Sequence, residues 1–228
     1  LENPREFASS RTFVARRIVE RYANAYLAAF PDKALPSTAA WPSEGKPGSA
    51  EYDALSSADR HAITELFVDV GKALAAYERS FRVQPTAFDA YVAGDPAALT
   101  DEEKYGLLVF ARSGCMQCHW GPRLSDDAYH VTRTATGRQD GAADPGREDG
   151  VRAWLESEFR ADGAWSAAPD SARRAEASPS TLGQFKTPSL RGVAELSFFG
   201  HGGAVASLSD VVHAYGAGGL PAEDPTSA

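Results

Sequence analysis

Both cysteines of the chain fall in one pentapeptide, Cys115-Met116-Gln117-Cys118-His119. Two thiols at this spacing, followed at once by an imidazole, suit covalent attachment of haem c. Each sulfur adds across a vinyl group, and the adjoining histidine is thereby placed to ligate the iron. The rival readings of the same residues are a zinc half-site, a thioredoxin-like redox pair and a structural disulfide. Zinc would need a second ligand pair at matching spacing, and no other cysteine exists. A redox pair is expected beside a βαβ pattern, which the sequence lacks. Maturation of c-type haem takes place outside the bacterial cytoplasm, so the motif predicts a periplasmic protein.

A haem iron held by one histidine has an open face, and the group that fills it decides between electron transfer and catalysis. The single methionine, Met116, lies inside the attachment motif and on the wrong side for that face. The remaining candidates are His61, His130, His201, His213 and the tyrosines. At about 100° per residue, Tyr215 lies about 20° from Leu208 on a helix and is expected to point inward with the apolar face, whereas His213 comes out about 140° away, toward solvent. His201 sits in Gly200-His201-Gly202-Gly203, a loop able to approach a haem edge. His61 reads as an exposed helical residue.

The elements that must position these groups are helical. Val14, Ile18, Tyr22, Tyr26 and Phe30 recur every four residues and predict a helix over 12–30, closed by Pro31. Ser56 with Asp59 resembles a capping box before the face Ile63, Leu66, Phe67, Val70, Leu74, Tyr77 and Phe81. Thr100 with Glu103 announces a third helix ending near Gly114, and Ser207 with Asp210 caps a last one that Gly216 can end. Val151 to Phe159 is expected to be a short helix, and Leu35–Tyr52, Asp126–Gly150 and Ala167–Thr181 to be loops. Convincing strands are scarce. The expected class is mostly α, a cytochrome c-like helical haem domain with long loops, divided into a helical segment over 1–99, the haem domain over 100–220 and a frayed tail over 221–228.

Composition agrees with a globular chain: 228 residues, 43% hydrophobic and 24% charged. A formal net charge of −8 argues against general nucleic-acid binding. No apolar run approaches the ~20 residues that span a bilayer, and no leader is visible at Leu1.

Several blocks in order around the pentapeptide resemble the bacterial di-haem cytochrome c peroxidase and MauG family. They are Asn3-Pro4-Arg5-Glu6; Ala73 to Arg79; Phe88-Asp89-Ala90-Tyr91 with Gly94-Asp95, similar to the loop that follows in the family; Phe185 to Val193; Phe199 to Gly203; and Ser207 to Val212. The resemblance implies an oxidoreductase using hydrogen peroxide, with a protein redox partner or protein substrate, of which this chain carries the C-terminal haem domain. A second haem is then expected upstream or on a partner chain. The family's distal ligand is a methionine in the peroxidases and a tyrosine in MauG, and the matching position here is Tyr215. Glu6 matches the glutamate of the peroxide pocket at the other haem, a carboxylate suited to moving protons. The resemblance also implies a calcium ion held through the carbonyls of Leu196 and Phe198, where the family usually carries Thr and Pro. Arg191 is the expected partner of a haem propionate, a bidentate task suited to guanidinium.

Overall fold

The computed structural model describes residues 2, 7–131, 144–169, 181–203 and 205–218. It divides into two units, Leu1–Arg82 and Val83–Ala228.

In the first unit, α1 (Arg11–Arg21) starts at Ser10, whose hydroxyl accepts from the Phe13 backbone N–H at 3.3 Å. The expected single helix is interrupted at Tyr22 (φ −120, ψ 16) and resumes as α2 (Ala23–Ala29). Past the break, Tyr26 is buried and its hydroxyl donates to Asp69 at 2.8 Å. A short α3 (Ala50–Asp53) precedes α4 (Ser57–Ser80), capped by Ser56 as expected. The core joins Ala15, Tyr26, Trp41, Tyr52, Ile63 and Leu66. Only the first half of the α4 face is buried: Leu74, Tyr77 and Phe81 are all exposed.

Asp69 is 1% exposed and faces Lys33 and Lys72, each 3.6 Å away. Burial, and the bond to Asp69, push the Tyr26 phenol well above its ordinary range. Both lysines are partly exposed and can rehydrate, so the loss in Asp69→Ala is chiefly the charged hydrogen bond and the packing around it. We expect a destabilisation of about 2–3 kcal/mol in urea unfolding. A change under 0.5 kcal/mol would mean the network contributes nothing net.

The second unit begins with α5 (Ala87–Val92), opened by a capping box of Thr86 and Asp89. The sequence reading placed a loop here. This compact unit begins before α5, whose Asp89 is bonded to Arg191 within it. Next comes α6 (Asp101–Arg112), where Glu103 N–H donates to Thr100 Oγ1 at 3.2 Å and Thr100 N–H to Glu103 Oε2 at 2.7 Å. A strand stands inside the expected loop over 126–150: β1 (Tyr129–Val131) pairs antiparallel with β2 (Gln184–Lys186), Tyr129 opposite Lys186. Between them α7 (Arg147–Glu156) starts earlier than expected and stops short of Phe159. Its entry at Gly146 (φ +59) brings the backbone so near β2 that a Cβ would stand 2.5 Å from the Gln184 carbonyl oxygen, so only glycine fits. Last is α8 (Leu208–Gly216), capped by Ser207.

Among the described residues the buried apolar side chains of this unit are Leu99, Val151 and Ala214. No described helix is long and apolar enough to cross a membrane. Most of the expected loop over 167–181 and the whole 221–228 tail lie outside the described residues.

Candidate haem site

The pentapeptide sits at the C-terminal end of α6. Gly114, at φ +88, turns the chain out of the helix into a single 3-10 turn, Cys115–Gln117. The His119 N–H then donates to the Cys115 carbonyl at 3.0 Å, closing one further turn of backbone after the cysteines. Ser113 Oγ lies 3.5 Å from Cys115 Sγ. Burial, and then the charge of Asp126, push the Cys118 thiol up.

The His119 ring is oriented by one bond. Its Nδ1 lies 2.9 Å from the Leu124 carbonyl oxygen. A carbonyl only accepts, so Nδ1 carries the proton and Nε2 is left with its lone pair, the tautomer that a metal-ligating histidine needs. Around the imidazole is an open cleft of about 460 Å³ whose apolar lining includes Phe88, Val92, Leu107, Phe110, Met116 and Trp120.

α8 differs from its expected orientation. Ala214 is its buried residue, while Val212 is 68% and Tyr215 51% exposed. The Tyr215 phenol is raised from its ordinary value by burial first and then by the nearby Cys118 and Cys115. Tyr215 therefore belongs to the surroundings of the motif and not to a packed core. Two thiols on one turn, a correctly tautomerised imidazole, a nearby phenol and an uncovered apolar lining together fit haem c.

The other expected residues distribute as follows. His213 is exposed, as its helical angle predicts, and so is His61. The His201 ring packs on Phe185 at 4.7 Å between centroids and stands 3.8 Å from Asp144, so these contacts tie it to β2. Arg191 lines the cleft at His119, with its Nη1 bonded to Asp89 at 2.7 Å and its Nε to the Pro122 carbonyl at 2.8 Å. Leu196 and Phe198 are exposed. Among the described residues, Cys118, Asp126 and His130 bring metal-ligand atoms together. Glu6 lies outside the described residues.

The Asp126–His130 pair escaped the sequence reading because an Asp and a His four apart in a loop carry no distinctive pattern. His130 Nε2 lies 2.7 Å from Asp126 Oδ2, and this bond, aided by the Ala128 backbone N–H, holds the Asp126 carboxyl down at about 2. A lowered folded value contributes stability that is present above the unfolded value of 3.8 and is lost as pH falls toward 2. The NMR carboxyl titration of Asp126 should have its midpoint near 2; a midpoint at the unperturbed value would show that the pair does not form.

No family model matches the chain. It is 34% identical over 160 residues to a protein named cytochrome-c peroxidase IdrP1 from Denitromonas iodatirespirans, an alignment covering 68% of this chain and 42% of the relative. It is 27% identical over 151 residues to the methylamine utilization protein MauG of Methylophilus methylotrophus, covering 64% of this chain and 36% of that one. The chain belongs to the di-haem cytochrome c peroxidase and MauG family. Its alignment spans about two-fifths of the length of these family members. A solved MauG-like protein associated with microbial copper homeostasis matches 94% of this chain and 51% of its own, at 23% identity and a TM-score of 0.51, which shows the shared, mostly helical fold.

Proposed function

We propose that this chain is the C-terminal haem-bearing part of a periplasmic di-haem oxidoreductase. In this reading a second haem, upstream or on a partner chain, binds hydrogen peroxide, and the haem held here transfers electrons or holes to or from a protein. The observation that carries the reading is the bond from His119 Nδ1–H to the Leu124 carbonyl, which leaves Nε2 with its lone pair in a cleft lined by apolar side chains.

When bound, the haem would supply one-electron redox chemistry. Cys115 and Cys118 would anchor it and His119 would ligate its iron. Tyr215 would be the second donor: an anionic phenolate would give more charge than a thioether and lower the potential relative to methionine. That favours oxidation of a protein substrate over acceptance of electrons from a high-potential donor. Glu6 takes and returns protons at the peroxide pocket of the other haem. Calcium between the haems belongs to the same reading, held through the Leu196 and Phe198 carbonyls with an asparagine ligand upstream of Leu1.

A conventional peroxidase, reducing hydrogen peroxide with electrons from a small redox protein, is the second reading. It is favoured by the higher identity to the protein named cytochrome-c peroxidase. The native gene product separates the two when given hydrogen peroxide. Turnover with a reduced small cytochrome or cupredoxin and no modified protein would support the peroxidase. A covalently modified protein product, with poor turnover of such donors, is the outcome expected here.

A further inference from the structure

The residue whose carbonyl orients His119 is itself strained. Leu124 has φ +51, in the left-handed region that a side-chain-bearing residue enters at a cost of about 1–3 kcal/mol, and Asp127 in the same loop has φ +56. Such conformations persist only where surrounding bonds over-determine them. Some of the surrounding bonds lie within the loop, where the Leu124 N–H donates to the Gly121 carbonyl and the Ser125 N–H to the Trp120 carbonyl, each at 3.0 Å; the others come from one distant segment. Ser189 Oγ donates to the Arg123 carbonyl at 2.6 Å, Arg191 Nε to the Pro122 carbonyl at 2.8 Å, and Ser125 Oγ to the Thr187 carbonyl at 2.8 Å. Leu124 lies between the anchored residues, and Asp89 of α5 fixes the Arg191 guanidinium from behind.

We propose that Ser189 and Arg191 are positioning residues for the iron ligand: the strap over 187–191 holds Leu124 strained so that its carbonyl stays on His119 Nδ1, which sets the donor strength of the imidazole. The electronic part rests on the haem reading above; the geometric part does not. A histidine whose Nδ1–H is well bonded is the more basic ligand and favours the oxidised metal. Loosening the strap therefore raises the haem potential.

The test uses Ser189→Ala, Arg191→Gln and the double variant, with Ser189→Thr as the conservative replacement. Ser189 is exposed, so its alanine variant keeps the fold. Two quantities are read: the potential of the haem-loaded protein by spectroelectrochemistry, and solvent exchange of the His119 Nδ1 proton by nitrogen-15 NMR. The expected result is a potential rising in the order Ser189→Ala, Arg191→Gln, double variant. The full effect approaches a tenfold loss of ferric preference, or about 59 mV, with faster Nδ1–H exchange in the same order. Ser189→Thr restores both. Thr100→Ala, which removes the α6 cap, moves neither. Strap variants that melt earlier while potential and exchange stay unchanged would overturn the proposal. If no variant carries covalent haem, the haem reading fails, and Nδ1–H exchange in the haem-free chain still decides whether the strap positions His119.

Discussion

Replacing both Cys115 and Cys118 with serine leaves the chain without covalent haem and lowers the stability of the Val83–Ala228 unit, while the melting of the Leu1–Arg82 unit stays where it was. The asymmetry follows from where apolar surface is buried. The first unit closes on a core of six buried side chains, whereas the described part of the second buries Leu99, Val151 and Ala214 and leaves Met116, Trp120, Val212 and Tyr215 uncovered. At roughly 1.5–3 kcal/mol per large apolar side chain buried, covering those four would contribute on the order of 5 kcal/mol once discounted for an already compact unfolded state. The chain should be produced with and without haem-c maturation and melted with separate probes for the two units. A second unit equally stable in both forms would show that the haem is not part of its core.

The second large effect is expected at Tyr215. In Tyr215→Phe the haem stays attached, because the thioethers and His119 are untouched, but a tyrosinate–iron band in resonance Raman disappears. The potential rises by more than the ~59 mV that a tenfold change represents, since an anionic ligand of the oxidised iron has been removed. Without iron the phenol is raised from its ordinary value by burial and the two thiols, so ligation as phenolate depends on the positive charge of the metal. An unchanged spectrum, or a parent protein without the band, would remove Tyr215 from the iron. His201 would not be its natural replacement, since its ring is engaged with Phe185 near Asp144.

The parts of this molecule legible in the sequence are those written by local chemistry. Ser56, Thr100 and Ser207 each announce a helix because a cap and its partner are three residues apart, and all three helices form. The haem motif is legible for the same reason. The break at Tyr22 is not, since neither glycine nor proline marks it. Three-residue strands such as β1 and β2 give no alternation to read, and each pairs with a partner far along the chain. Helical spacing shows the apolar face of α8 but not what that face meets, so it predicts an inward Tyr215, which the structure has half exposed near the thiols. The Arg191 contacts were illegible because side chain to backbone bonds across distant segments leave no periodic trace.

The bond between Ser125 and Thr187 spans 62 positions along the chain. The entropy of closing so long a loop grows only with the logarithm of its length, so doubling the intervening segment would cost only about 0.6 kcal/mol. Homologous chains are therefore free to lengthen or shorten the connections that flank α7 while Gly146, α7 and both anchors of the histidine loop stay in place. Insertions and deletions among relatives should accumulate there, and the few residues on either side should hold their spacing to the pentapeptide and to each other.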